Sequence, residues 1–146
     1  MEEECVFCQI VSGKSPASVY YEDDVVLGIM DIGPVTKGHV MVIPRRHMAR
    51  LSDLEEETGR HMFAVAHRTG LALYESGLRC EGINLFLADG EAAFQEVFHL
   101  HLHVFPRYEG DPFKLVADWD IRPSREELDA VAAQIKTAYA ALDRPE

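Results

Sequence analysis

Three histidines occupy alternate positions in Phe98-His99-Leu100-His101-Leu102-His103-Val104-Phe105. Along a strand, successive side chains project to opposite faces. An extended segment from Val97 to Phe105 therefore puts Leu100, Leu102 and Val104 on one face. His99, His101 and His103 share the other, about 6.7 Å apart at each step. Packing has no need of three imidazoles in a row. Three chemistries do: imidazole binds metals, exchanges protons in acid–base catalysis and attacks phosphorus as a nucleophile. The neutral, nucleophilic ring is available at pH 7 because the unperturbed pKa is about 6.5. The spacing does not by itself choose among the three.

The second reactive grouping is the pair Cys5-x-x-Cys8. Such a pair serves redox exchange in a thioredoxin-like βαβ setting, holds a metal, or packs as two small buried residues. No βαβ pattern surrounds it, and tetrahedral zinc would need two further ligands. Cys80 reads as a lone, small buried residue. Three cysteines are too few and too odd in number for a disulfide framework. His39 follows a strand-starting glycine and reads as structural. His61 and His67 fall on a predicted helix as solvated or partly packed residues. Arg45-Arg46 reads as a solvated pair rather than a phosphate clamp.

Several elements must position these residues. Cys5 to Val11 reads as a short helical turn closed by Ser12-Gly13-Lys14-Ser15-Pro16. Val19–Glu22 and Val25–Asp31 are apolar and β-branched around Asp23-Asp24, the pattern of a hairpin. Ile32-Gly33-Pro34 ends the second strand, and Gly38–Pro44 is a third, stopped by proline. Ser52-Asp53 is a candidate cap for a long helix with Glu55, Glu56 and Glu57 in its first turn. Its apolar positions are Met62, Val65, Ala66, Leu71 and Leu73, and it should end near Ser76-Gly77. Ile83–Leu87 is a short strand, and Val97–Phe105 is the histidine strand. Ser124 with Glu126-Glu127 starts a C-terminal helix reaching about Ala141. Strands gathered around one long helix indicate an α+β domain with an antiparallel sheet.

Length, charge and hydropathy narrow the partners. A chain of 146 residues suits one domain, here read as 1–146 with a C-terminal helical extension from about 110. The net charge of −11 argues against a long nucleic acid, which needs a basic surface. A single nucleotide remains compatible, since backbone N–H groups and a few side chains can hold one phosphate. No apolar run reaches the roughly 18 residues of a membrane helix. The acidic start Met1-Glu2-Glu3-Glu4 is unlike a secretory signal, which points to the cytoplasm.

The triad segment resembles the histidine triad (HIT) family, whose pattern is His-φ-His-φ-His-φ-φ with φ apolar. The resemblance extends to Asp31-Ile32-Gly33-Pro34, to Gly38-His39-Val40-Met41-Val42-Ile43-Pro44-Arg45-Arg46-His47, to Gly82-Ile83-Asn84 and to Gln95-Glu96-Val97-Phe98. It covers roughly Cys5 to Arg107. It implies a homodimeric nucleotidyl hydrolase that cleaves at the α-phosphate of a purine nucleotide conjugate: a phosphoramidate, an adenylate or a dinucleoside polyphosphate. The alternatives are a nucleotidyltransferase, such as a dinucleoside polyphosphate phosphorylase, and a non-catalytic nucleotide-binding protein.

The same resemblance implies roles. His101 would attack phosphorus and become a nucleotidyl-histidine. His103 would bond a phosphate oxygen or assist the leaving group, and His99 would hold the tautomer of His101 through its backbone carbonyl. Asp31 would accept bonds from the ribose hydroxyls. Phe7, Ile10 and Ile32 would line the base pocket, and Gln95, Glu96 and Val97 would form the phosphate loop. Some family members, and the similar galactose-1-phosphate uridylyltransferases, bind zinc through two cysteines and two histidines at the positions of Cys5, Cys8, His47 and His99. Such a zinc would be structural, with all four positions filled by protein. Two residues depart from the pattern: Phe94 replaces a glycine before Gln95, and Ala88 replaces an asparagine. Both bear on handling of the leaving group.

Overall fold

The computed structural model describes residues 5–142; the acidic start at residues 1–4 lies outside the described residues. Five strands, β1 (Val19–Glu22), β2 (Val26–Met30), β3 (Val40–Pro44), β4 (Gly82–Leu87) and β5 (Leu102–Arg107), form one antiparallel sheet in the order β1-β2-β3-β5-β4. Among the described residues three α-helices accompany the sheet: α1 (Val6–Val11), α2 (Glu56–Glu75) and α3 (Arg125–Leu142). This is the α+β architecture expected from the sequence.

The sheet is apolar on both faces because β2 and β3 carry apolar residues at every position. Val26, Val40, Val42 and Val104 pack with Met62, Val65, Ala66 and Leu73 of α2. The alternate residues Leu27, Ile29, Met41 and Ile43 pack around Phe7 of α1. Period-two alternation thus sorts one strand set into two cores. Met41 pairs with His103, so His103 belongs to the α1 side. The short helix α1 therefore covers the face that carries the chemistry.

Three local expectations need correction. The ladder of β5 begins at Leu102, not Val97. Before it, Leu100 N–H donates to the Met48 carbonyl at 2.7 Å, so this stretch bonds to the loop after β3 instead of to a strand. Ser52-Asp53 does not cap α2. It lies in a separate 3-10 turn, where the Asp53 carboxylate accepts from Ala49 and Arg50 N–H, and α2 starts three residues later behind Glu55. Leu71 faces outward, while Thr69 and Gly70 take buried places on α2. Thr69 fits there because its hydroxyl bonds the Val65 carbonyl, 2.8 Å away.

The chain divides into two units, Met1–Phe113 and Lys114–Glu146. The first ends in a polar clasp. Arg107 reaches Asp111 through two nitrogens, and also Asn84 and the Phe113 carbonyl. The bonds from Arg107 hold the Asp111 carboxyl down at about 2. In the second unit, Ser124 and Glu127 exchange bonds at the start of α3: Glu127 N–H to Ser124 Oγ at 3.1 Å, and Ser124 N–H to Glu127 Oε2 at 2.7 Å. This is the reciprocal cap that the sequence predicts there.

Candidate active site and metal centre

His101 sits at the middle of the site. Its Nδ1 lies 2.8 Å from the His99 carbonyl oxygen. A carbonyl only accepts, so Nδ1 carries the hydrogen and Nε2 keeps a free lone pair. The residue is buried, 8 % exposed. Phe7 meets it edge-on at 5.1 Å, and the His103 ring stands 4.8 Å away on its other side. The imidazole is therefore fixed by one hydrogen bond and two aromatic neighbours. The His101 and His103 rings are adjacent, and Phe7 touches both His99 and His101, although only His103 belongs to the ladder.

His99 is fully buried, with its Nδ1 towards the cysteines. Its Nε2–H donates to the Pro44 carbonyl at 2.7 Å, which leaves Nδ1 as the acceptor atom. That Nδ1 is 3.5 Å from Cys5 Sγ and 3.5 Å from Cys8 Sγ, and Cys8 Sγ is 3.3 Å from His47 Nδ1. The four ligand atoms lie within 4.8 Å of one another. Tetrahedral zinc with its usual bond lengths sets sulfur and nitrogen about 3.5 Å apart, so the spacing fits. The carbonyl behind His99 also supplies the outer support usual for a metal-bound imidazole. Burial holds the His99 imidazole below its ordinary pKa, against the opposing Pro44 bond, and so favours the neutral ligating form.

On the opposite side of His101 lies a second polar group. His39 Nε2 is 2.8 Å from His103 Nδ1. Asp31 Oδ2 is 3.4 Å from the former and 3.6 Å from the latter. Two nitrogens on tetrahedral zinc would stand about 3.3 Å apart; at 2.8 Å the contact is a hydrogen bond. Burial lowers the pKa of His39, with Asp31 opposing. Burial, then the neighbouring His101 and His39, push His103 down to about 4. His39 reads from the sequence as structural, yet it touches a triad ring. The strand register explains the contact: Met41 opposes His103, and residues two apart share a face.

The turn that delivers Asp31 and His39 is closed by Asp31 N–H to the His39 carbonyl at 3.0 Å and by Thr36 Oγ1 to the Pro106 carbonyl at 2.7 Å. Gly38 has φ +102, and a Cβ there would come within 2.8 Å of Leu78. Both facts require glycine immediately before His39.

The Gln95–Val97 loop is pinned by Gln95, which is buried. Its Oε1 accepts from Gly90 N–H, and its Nε2 donates to the Ala49 and Val97 carbonyls. Its own N–H goes to Gly90 O. All its donors are used, so Gln95 shapes the loop. The N–H groups of Glu96 and Val97 find no backbone acceptor among the described residues. Glu96 and Val97 also line a concavity with Cys5 and His47. Of the expected base-pocket residues, Phe7 is buried against the triad, Ile10 is half-buried beside it, and Ile32 is fully exposed.

Phe94 adopts a left-handed backbone, φ 67, and is 83 % exposed, so the core of this chain does not absorb it. Ala88 is buried just beyond β4. Arg45 bonds Glu22 and the Asp23 carbonyl, and Arg46 bonds Glu55. Both are engaged with the protein. His61 contacts Asp23 at 2.6 Å, and His67 is exposed.

Comparison with known proteins agrees with this geometry. The HIT domain model matches residues 12–110. An uncharacterized HIT-like protein of Mycobacterium tuberculosis is 41 % identical over 124 residues, 84 % of this chain and 85 % of that protein. The adenylylsulfatase HINT3 of Arabidopsis thaliana is 33 % identical over 135 residues, 92 % of this chain and 67 % of the relative. The crystal structure of a zinc-bound histidine triad family protein from Mycobacterium smegmatis has a TM-score of 0.75 at 47 % identity, covering 94 % of this chain and 99 % of the other. Fold, triad and matched length converge, and the chain belongs to the HIT family.

Proposed function

We propose that this protein hydrolyses a purine nucleotide conjugate at its α-phosphorus through a nucleotidyl group carried on His101. The observation that carries the reading is the bond from His101 Nδ1 to the His99 carbonyl, which leaves Nε2 as a free nucleophile. Attack forms the Nε2–P bond and breaks the bond from phosphorus to the leaving group. Water then breaks the Nε2–P bond and releases the nucleoside monophosphate. Two easier displacements replace one difficult one. In this reading His103 bonds a phosphoryl oxygen, and the N–H groups of Glu96 and Val97 donate to another, with Gln95 holding their loop. Asp31 takes the ribose hydroxyls, and Phe7, Ile10 and Ile32 border the base. The Arabidopsis relative, an adenylylsulfatase by name, supports the class of substrate.

Cys5, Cys8, His47 and His99 would hold a structural zinc. Its spacing and the zinc-bound Mycobacterium smegmatis relative support it. Bound there, the metal ties α1 to the residue two before the nucleophile and leaves the chemistry to the imidazoles. The reading takes 1–146 as one HIT domain with its helical extension. It also takes the protein as a homodimer in the cytoplasm, where nucleotides and reduced thiols coexist. Exposed Phe63, Leu71 and Tyr74 fall on one stripe of α2, and exposed Leu85 and Phe86 lie on the edge strand β4; both favour a second copy as cover. Sedimentation should give twice the chain mass.

The test of function is a turnover assay over phosphoramidate, adenylate and dinucleoside polyphosphate substrates, with and without inorganic phosphate. Nucleoside monophosphate as the product in both conditions supports hydrolysis. Nucleoside diphosphate appearing only with phosphate would show a phosphorylase. Tight nucleotide binding with no turnover of any substrate would contradict the enzyme reading.

A further inference from the structure

His39 lies outside the triad, but its bonds determine where the proton of a triad ring resides. The Val35 backbone N–H points at His39 Nδ1 from 3.1 Å. An amide N–H can only donate, so His39 Nδ1 accepts and carries no hydrogen. The neutral ring must then carry its hydrogen on Nε2. Nearest to that atom is His103 Nδ1 at 2.8 Å, with Asp31 Oδ2 more distant at 3.4 Å. His103 Nδ1 is thereby an acceptor, and the single hydrogen of a neutral His103 sits on its Nε2. Protonating His39 would set two N–H groups against each other at Nδ1. The lowered pKa values of both rings agree with neutral forms at pH 7.

We propose that His39 is a positioning residue that locks His103 in its Nε2–H tautomer, so that a neutral ring offers a donor to the phosphoryl group; this rests on the nucleotidyl-transfer reading above. The two neighbouring triad rings then hold opposite tautomers. His101 has a bare Nε2, set by the His99 carbonyl, and His103 has a protonated Nε2, set by His39. One acts as nucleophile and the other as donor, with ring centres 4.8 Å apart. No proton has to pass along the chain. The donor is oriented before substrate arrives and stabilises charge as it grows on the phosphoryl oxygens. A ring free to take either tautomer would present a lone pair to an anionic oxygen for part of the time.

The test has two arms. Long-range nitrogen-15 NMR of the histidine rings, with the His103 signals assigned by their loss in His103→Ala, reads the tautomer directly. The native protein should show His103 protonated at Nε2 alone. His39→Ala should move its two nitrogens towards a tautomer average, and His39→Gln, which can still accept from Val35 and donate to His103, should restore them. The second arm is kinetic, using a nucleotide ester of an acidic phenol whose easy departure leaves a measurable rate without His103. His39→Ala should lower kcat about ten- to a hundredfold in the native background and by less than twofold in the His103→Ala background. Unchanged His103 signals in His39→Ala, or an equal loss of kcat in both backgrounds, would overturn the proposal. Absence of turnover in the native protein would count against the proposed function alone, because the NMR arm still decides the tautomer.

Discussion

A hydrogen-bond partner decides what each imidazole can do. His99, His101 and His103 are chemically identical, but a carbonyl, a carbonyl and a histidine at their ring nitrogens leave Nδ1 of His99 facing the cysteines and turn Nε2 of His101 and of His103 to other uses. The pKa of about 4 at His103 carries a stability consequence. The folded value lies below the unfolded value of about 6.5, so the unfolded chain binds this proton more readily. The contribution is fully present above pH 6.5 and is lost as pH falls towards 4. Compared with a zinc-loaded His103→Gln variant, the native protein should lose stability more steeply in that window. The difference should approach about 1.4 kcal/mol per pH unit; parallel curves would contradict it. Phe94 is a different case. A left-handed backbone strains a residue with a Cβ by about 1–2 kcal/mol, and its exposed ring recovers little by packing. Phe94→Gly should therefore leave thermal stability unchanged or raised. If the ring contacts the leaving group, the substitution should also relax the preference between a small and a bulky leaving group by roughly 1–3 kcal/mol in kcat/KM. An unchanged ratio would remove Phe94 from the leaving-group side.

At the scale of elements, α1 has too few residues to hold itself, since isolated helices this short are marginal in water. It is held by Phe7 in the second core and by the cysteines facing His47 and His99. Binding energy at a structural zinc site is also folding energy. Protein purified without added metal should contain one zinc per chain, and a strong chelator should lower thermal stability while freeing both thiols. Native protein without zinc, with Cys5 and Cys8 fully reactive, would refute the metal site. The elements were legible to different degrees. The hairpin, β3, β4 and the Ser124–Glu127 cap followed from short apolar runs bounded by turn residues and from local side-chain chemistry. The start of β5 did not, because Leu100 N–H is taken by Met48, forty-eight residues into the chain, and no local pattern reports that. Asp53 looked like the cap of α2 because its carboxylate does bond backbone N–H groups, but they belong to the turn before. The contact of His39 with His103 was hidden for a similar reason: it depends on β3 lying against β5, a long-range pairing.

Considered whole, the molecule uses its sheet as a partition. One face packs on α2, while the other brings α1, the triad and the Asp31–His39 turn together. Membership of the HIT family and the triad itself could be read from a few adjacent residues. The resemblance also implied that the His99 carbonyl holds the tautomer of His101; the His39–His103 contact and the anchoring of the loop by Gln95 needed the folded chain. The proposed chemistry turns on one bond, between phosphorus and His101 Nε2. It is tested most directly by mixing the protein with an adenylate or phosphoramidate substrate, quenching within one turnover, and mapping the added mass to a peptide. One nucleotidyl group on the imidazole of His101, absent from a His101→Ala variant that still binds nucleoside monophosphate but has lost turnover by several orders of magnitude, is the result predicted. Near-native turnover in His101→Ala, or the nucleotidyl group on any other residue, would contradict it.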